Sequence, residues 1–529
     1  MNTPDSVAQR AAPLHQPAFL GLLLCSGVFF VGNGMQVMAA AWYMVEQSHS
    51  ALLAALVQTA IFLPMFALGL PAGVLADTTD RSRLMQIALA VQTAACAVLS
   101  FLVLFGWANP AIVLILVFVC GCSIAVMTPA WNSSIVDPVP RHAWPQAITA
   151  ISISYNAARA VGPSLAGLLF AQWGAGWVFA ATVISTLVMW QSVRTWPPRA
   201  HPPSRLPVER LWAGTMSGLR FAWHSRMILA QLVRVMAYSA AGSALWALLP
   251  TIAQRQLGAG AQGFGLLMGC LGGGGIATGL VIGRLRQRYS LDAIVIVACG
   301  VFAGVMLLAA WTQVHLMVYA SMVAGGAAWM AAMSTFNTAT QASAPQWVRS
   351  RAVALHIVAS LGAYAVGSAI WGAVSEGLGL SVTLTLAAGC MAAGILLARP
   401  LPLRLGHEQE VTQGTPWDEL FIAAEPNPEA GPIAVELSYR IRDGADGEFL
   451  ETISGLKAPR RRDGASLWRV YKDLGEPSRY VERFIVESWA TYLHQRARAT
   501  VADQELEARV RQFLAPGEVA HTSHYIAER

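Results

Sequence analysis

WNSSIVDPVPRHAWPQAITAISISYNAARAVGPSLAG, residues 131–167, lies without a gap on FNTATQASAPQWVRSRAVALHIVASLGAYAVGSAIWG, residues 336–372. Asn132 meets Asn337, Pro140 meets Pro345, Gly162 meets Gly367 and Gly167 meets Gly372, at one separation: 337 − 132 = 372 − 167 = 205. The same separation sets Arg81 on Arg286 and Arg83 on Arg288. Each stretch reads as a short polar loop leading into a long apolar helix. Several matches in one register, at equivalent helix positions, mark an internal repeat of the kind found in two-half membrane proteins.

Outward from the repeat, about twelve apolar segments of spanning length fall between Ala18 and Arg399. A spanning helix needs roughly 20 mostly apolar residues. The chain is 55% hydrophobic and only 12% charged, with a mean hydropathy of +0.50. A soluble domain carries about 25% charged residues, so the expected solvent is lipid. The net charge of +6 does not point to nucleic acid, because the arginines sit in short loops between apolar runs. One set of alternate loops carries Arg81/Arg83, Arg141, Arg194 to Arg220, Arg284/Arg286/Arg288 and Arg349/Arg351; the other holds little beyond Glu46, Arg255 and Glu376. The positive-inside rule then puts both termini in the cytoplasm of a multi-pass protein of the cell (inner) membrane.

The expected division is a tail at 1–17, a six-helix half at 18–194, a Pro- and Arg-rich central loop at 195–225, a second six-helix half at 226–400, a linker at 401–430 and a soluble α+β domain at 431–529. In the last, Ile433–Ile441, Leu467–Asp473, Tyr480–Glu487 and Val519–Ile526 read as strands, and Glu448–Leu456 and Trp489–Phe513 as helices. The order β-α-β-β-α-β is that of a ferredoxin-like unit. The 7 cysteines all lie in apolar stretches and read as small buried hydrophobes, with no disulfide framework and no metal spacing. Gly272–Gly275 sits inside an apolar run, and no phosphate-binding loop is present, so no nucleotide or other cofactor is expected.

The loop Gly69-Leu-Pro-Ala-Gly73-Val-Leu-Ala-Asp77-Thr-Thr-Asp80-Arg81-Ser-Arg83 resembles the major facilitator motif between the second and third helices. Asn156-Ala-Ala-Arg159-Ala-Val-Gly162-Pro163-Ser-Leu-Ala-Gly167 resembles the fifth-helix motif of exporters. With Pro129-Ala-Trp131, Pro345-Gln-Trp-Val-Arg349-Ser-Arg351, and Arg460-Arg-Arg-Asp-Gly464 to Trp489 in the tail, the chain is similar to the transmembrane secretion effector branch of that superfamily, related to enterobactin exporters. The resemblance implies a twelve-helix major facilitator fold in two six-helix halves and export of a small organic compound by alternating access. It also implies a charge clasp at Asp77 and Arg81, flanked by Gly73, Asp80 and Arg83. Three positions depart from the pattern: Thr78 stands where a basic residue is usual, Asn33 where the branch often has an acid, and the second-half loop at Gly279 and Gly283 has lost its Asp.

Arg159 falls near the middle of its helix, about 18–20 Å from either end and too far to snorkel. A charge there costs at least about 2.5–3.5 kcal/mol, so it is expected to face a wet cavity or a partner. Tyr155 and Asn156, at i−4 and i−3, share its face. Asn33, Gln36, Asn337, Gln341 and Tyr364 are further cavity candidates, beside Gln58, Asn132, Arg234, Tyr238 and His356. Gly162, Pro163, Gly167, Gly367 and Gly372 suit a hinge or close helix packing. No Asp or Glu falls in the middle of a span, so protons as the coupling ion stay open. Import, lipid movement, a monooxygenase-like enzymatic tail using Trp468, His494, His521 and His524, and dimerisation through the tail stand as alternatives or additions. A transporter that is not an enzyme is the leading reading.

Overall fold

The computed structural model describes residues 16–140, 143–195, 219–345, 347–405, 412 and 426–528. The N-terminal tail, most of the central loop and linker, Arg141, Arg199, Arg205, Arg210 and the side chain of Asp77 lie outside the described residues. Among those described, twelve helices of 17 to 32 residues run from Pro17 to Leu396. The first six are α1 Pro17–Ser48, α2 Ala51–Thr78, α3 Arg81–Leu104, α4 Pro110–Ser134, α5 Trp144–Trp173 and α6 Ala175–Thr195. The others are α7 Arg226–Thr251, α8 Ala261–Arg288, α9 Leu291–Trp311, α10 His315–Ser343, α11 Arg349–Leu378 and α12 Leu380–Leu396. Ten are long and apolar enough to cross a membrane. Missing from that set are α12, with 17 residues, and α5, which carries Arg159, Asn156 and several hydroxyls.

Local signals set the helix ends. Pro17 and Pro110 open α1 and α4 at positions where a missing N–H costs nothing. Ser50, Asp80, Asn109 and Ser290 cap the N-termini of α2, α3, α4 and α9 with side-chain oxygens. The α5–α6 and α11–α12 junctions are single residues, Gly174 and Gly379, with φ of 84° and 81°. Only glycine takes that conformation freely, and the two positions are again 205 apart (379 − 174).

The repeat is not ungapped throughout. The separation of 205 holds for α5 and α11, where 349 − 144 = 378 − 173 = 205. For α2/α8 and α3/α9 it is 210, since 261 − 51 = 288 − 78 = 291 − 81 = 210. This corrects the pairing of Arg81 with Arg286 and of Arg83 with Arg288. Arg81 opens α3 and Arg286 lies in the last turn of α8; Arg81 corresponds instead to Leu291, and cap Asp80 to cap Ser290. Most of the extra length is already present at α1/α7, where 226 − 17 = 209, and one further residue enters by the π-helical turn Ile252–Gln256 that continues α7, a known form of helical insertion. It leaves again because α9 and the loop after it are shorter than α3 and its loop. The 210 register sets Gly69 and Gly73 on Gly279 and Gly283.

The chain divides into two compact units. The first comprises Met1–Leu206, Val233–Phe336 and Ile357–Pro400. Its helices approach closely through small residues, as membrane helices must when lipid supplies no hydrophobic drive between them. A Cβ on Gly162 would stand 2.7 Å from the Val31 carbonyl oxygen of α1, and one on Gly167 2.7 Å from that of Ala261 on α8. A Cβ on Gly367 would stand 2.7 Å from the Ala240 oxygen of α7, and one on Gly372 2.6 Å from the Ala55 Cβ of α2. Pro163 lies within α5, and its carbonyl faces Gly265.

The second unit comprises Pro207–Leu232, Asn337–His356 and Leu401–Arg529. Its sheet is formed by β1 Ile433–Arg440, β2 Leu467–Lys472, β3 Arg479–Val486 and β4 His521–Ile526, in the order β2-β3-β1-β4 with every neighbour antiparallel. Alternation puts Ile433, Val435, Leu437 and Tyr439 on the buried face, against Phe449 of α13 Asp446–Ser454, Trp489 and Tyr492 of α15 Trp489–Arg498, and Val510 of α16 Val501–Arg511. Between α13 and β2 comes a short α14, Lys457–Arg462. The single helix expected over Trp489–Phe513 is two helices. Thr500 breaks it by forming a capping box with Asp503, which rewards an extended residue at that point. In the same unit Arg498 stacks over Trp347 at 4.3 Å, Arg462 lies over Phe221 at 6.0 Å, and Phe221 and Trp347 pack edge to face at 5.5 Å.

Two largely buried arginines, 13% and 14% exposed, organise this domain. Arg460 pairs with Glu482 at 3.1 Å and Glu507 at 2.9 Å, and Arg462 with Asp463 at 2.7 Å and Asp503 at 2.6 Å. Burial pushes the Glu507 carboxyl up to about 7, with Arg460 acting against the rise. A carboxyl raised in the fold favours folding when protonated. That contribution is present below about pH 4.5 and is lost as pH rises through about 7, a change of roughly 3 kcal/mol. Hydrogen-exchange protection of α16, corrected for intrinsic rates, is expected to fall over that window, and Glu507→Gln to flatten the dependence. An equal slope in the variant would assign the effect to another group.

Candidate functional site

The helices of the first unit bring one cation and four rings together. Arg159, from the middle of α5, lies over the Trp246 ring of α7 at 5.9 Å. Trp246 meets Trp329 of α10 at 5.8 Å, Trp329 meets Tyr364 of α11 at 6.0 Å, and Tyr364 meets Phe62 of α2 at 4.9 Å. All three ring pairs are edge to face, the preferred aromatic geometry. The Arg159 charge also reaches Tyr364. Arg159 and Tyr364 are repeat equivalents, 364 − 159 = 205, and so face each other across the pseudo-twofold relation of the halves. Arg159 has no ion pair among the described residues and is itself exposed. Its neighbours on α7 and α11 show that it points between the two halves and away from lipid.

Other expected residues are placed elsewhere. Gln92 of α3 donates to Asn33 at 2.8 Å, and Asn33 donates to the Phe29 carbonyl at 3.2 Å. Gln36 is buried and accepts from Cys96 at 3.6 Å. These two residues join α1 to α3 within one half. Tyr155 stacks edge-on against Phe30 at 4.9 Å, and Asn156 donates to the Ser152 carbonyl at 2.8 Å. Asn337 and Gln341 bond to each other at 2.9 Å and are exposed. His356 is buried and lies 3.4 Å from the Thr340 hydroxyl. Trp246 and Trp329 escaped sequence reading because an aromatic in an apolar helix carries no sign of which way it faces.

A buried ion pair also escaped it. Arg234, named above as a cavity candidate, is 3% exposed and pairs with Asp292 of α9. Asp292 is at the second position of α9, so it reads as a helix-end acid until the fold brings it beside α7. The pair lies next to Tyr238, whose buried hydroxyl has no partner, in a small cavity also lined by Cys299 and Phe336.

The loop motif and the helix ends opposite it differ in their partners. Asp80 accepts from the Ser82 and Arg83 amides at 2.8 and 3.2 Å and pairs loosely with exposed Arg83 at 3.9 Å. Arg81 donates to the Ala76 carbonyl at 3.3 Å, and Gly73 has open space beside it. At the other ends, bonds cross between the halves. Glu376 of α11 accepts from the Ser50 hydroxyl and from the Leu52 amide at 3.2 Å, and Arg255 donates to the His49 carbonyl. Trp42 and Phe264 stack there at 5.7 Å. In the tail, Trp468 donates to Glu482 at 2.9 Å and His524 bonds Tyr492 at 2.6 Å. His521 lies on the opposite sheet face from His524, since it is three residues away along one strand.

Solved structures and characterised relatives agree with this architecture. A nucleoside transporter, NupG, superposes with a TM-score of 0.62 at 12% identity, covering 73% of this chain and all of that one. A D-xylose-proton symporter does so at 0.59 and 14% identity, covering 73% and 98%. The multidrug efflux pump Tap of Mycolicibacterium fortuitum is 26% identical over 70% of this chain and 90% of its own. The staphyloferrin A transporter of Staphylococcus aureus is 28% identical over 30% of this chain and 40% of its own length, and Tap of Mycobacterium tuberculosis 29% over 40% and 52%. In those two comparisons the chain spans about half or less of the relative. The family described as transmembrane secretion effector matches residues 8–529. Nearly the whole chain, tail domain included, belongs to the transmembrane secretion effector family of major facilitator transporters.

Proposed function

We propose that the protein is a secondary exporter of small organic compounds that works by alternating access. It would have twelve crossings in two halves, 18–194 and 226–400, in a cell inner membrane, with both termini cytoplasmic. The observation that carries this is the unpaired Arg159 set against Trp246 where the repeat-equivalent helices α5 and α11 face each other. Efflux relatives support the direction. The bonds of Glu376 and Arg255 across the halves fit a state closed at the outer end. Gly73, Asp77, Asp80, Arg81 and Arg83 act as the inner gating loop, and the glycines of α5 and α11 as sliding contacts. Energised inverted vesicles carrying the protein should accumulate substrate; accumulation by intact cells instead would reverse the direction.

Protons are the favoured coupling ion, with Asp292 beside Arg234 as the group that exchanges them. Asp292→Asn is expected to slow pH-gradient-driven transport at least tenfold and leave downhill exchange running. Equal loss of both would assign the pair to packing alone. For the tail, the strand order β2-β3-β1-β4 supports a ferredoxin-like domain. Its open sheet face, bearing Tyr471, Val481, Ile485 and Tyr525 in register, suits dimerisation, which the mass of the purified full chain would test.

A further inference from the structure

The cluster around Arg159 has a chemistry of its own. A guanidinium inside a membrane protein is normally neutralised by a carboxylate or by backbone carbonyls. Arg159 has neither an ion pair nor a hydrogen bond among the described residues, only the face of Trp246 at 5.9 Å. Trp246 is half-buried, and its indole N–H, buried and without a partner, is a second unused donor. An unsatisfied donor of this kind is destabilising until something accepts from it. Trp329 and Phe62 are likewise half-buried, while Tyr364 is 7% exposed. Edge-to-face contacts at 5.8, 6.0 and 4.9 Å join these rings into one aromatic wall, with Trp329 backed by Tyr238 and Phe302. Donors here outnumber acceptors, the charge is positive, and the walls are aromatic.

We propose that Arg159, Trp246, Trp329 and Tyr364 form a receptor for flat, conjugated organic anions, with the anionic group on Arg159 and the π-system against the tryptophans. The guanidinium supplies a planar fork of donors that fits a carboxylate or similar oxyanion. The inference rests on the exporter reading for its place in transport, but binding can be measured without transport. The probes are 2-naphthoate, its neutral analogue 2-naphthamide, and the cation 2-naphthylmethylammonium. The readout is the thermal midpoint of the purified full chain in detergent.

Naphthoate is expected to raise the midpoint with a half-saturating concentration at least tenfold below that of the amide, and the ammonium to give no shift. Arg159→Met should abolish the preference for the anion, and Arg159→Lys should keep part of it. Trp246→Leu should weaken naphthoate and naphthamide alike yet leave the response to cyclohexanecarboxylate, which carries the anion without the flat rings. Equal shifts by naphthoate and amide, a stronger shift by the ammonium, or no shift by any probe on the wild type would each overturn the proposal. If naphthoate binds with the expected preference but inverted vesicles do not accumulate it, the exporter reading fails and the receptor stands.

Discussion

Arg460→Ala is expected to unfold the C-terminal sheet domain. Glu482 is fully buried on β3 and takes three donors: Arg460 at 3.1 Å, Trp468 at 2.9 Å and Tyr439 at 3.0 Å. Glu507 approaches the same guanidinium at 2.9 Å. Removing Arg460 leaves two buried carboxylates without their shared cation. Breaking a buried pair by deleting one partner costs about 3–5 kcal/mol, a large part of what a domain of this size has in reserve. Limited proteolysis of the full chain should show cleavage between β1 and β4 in the variant and none in the wild type. Arg483→Ala is the control. Arg483 pairs with Glu436 on the open sheet face and is about half exposed, and such pairs are worth roughly 1 kcal/mol or less. Equal sensitivity of the two variants would show that the buried network does not hold the domain.

Gly326→Ala should destabilise the helical unit although it adds one carbon. On α10 this glycine lies so close to α8 that a Cβ would fall on the carbonyl oxygen of Leu271, and Gly274 of α8 is in the same relation to Val323. The obstacle is backbone on both sides, so relief requires the two helices to separate along their length. Overpacking of a core costs typically 1–3 kcal/mol, and a clash with rigid backbone belongs at or beyond the upper end. The thermal midpoint of the detergent-solubilised chain should drop by several degrees. Gly73→Ala, with nothing near its added carbon, should leave the midpoint unchanged. A silent Gly326→Ala would mean that α8 and α10 are further apart than described.

The features readable in the sequence share one property: each is written within a few residues of itself. Apolar runs and their caps, such as Ser50, Asp80, Asn109 and Ser290, mark helix ends by bonds spanning three residues. Strand alternation in Ile433–Arg440 is equally local. Thr500 was legible in principle, since Thr-x-x-Asp is a capping signal, but the amphipathic run around it masked the break. The register error at Arg81 arose because matching basic loops satisfied the 205 separation by coincidence, while the true separations, 209 at the starts of α1/α7 and 210 at α2/α8, come from length changes that no composition announces.

By itself the sequence determined a membrane protein of two repeated helical halves with an α+β tail, because hydropathy, periodicity and capping act over short range. It also singled out Arg159, since a charge far from both helix ends stands out in any apolar helix. Only the tertiary structure decided what Arg159 meets. Trp246 and Tyr364 are 87 and 205 residues away (246 − 159, 364 − 159), and Arg234 finds Asp292 across 58. These helices are apolar nearly all round, so no stripe in the sequence says which side faces the neighbour, and side-chain partners follow from packing alone.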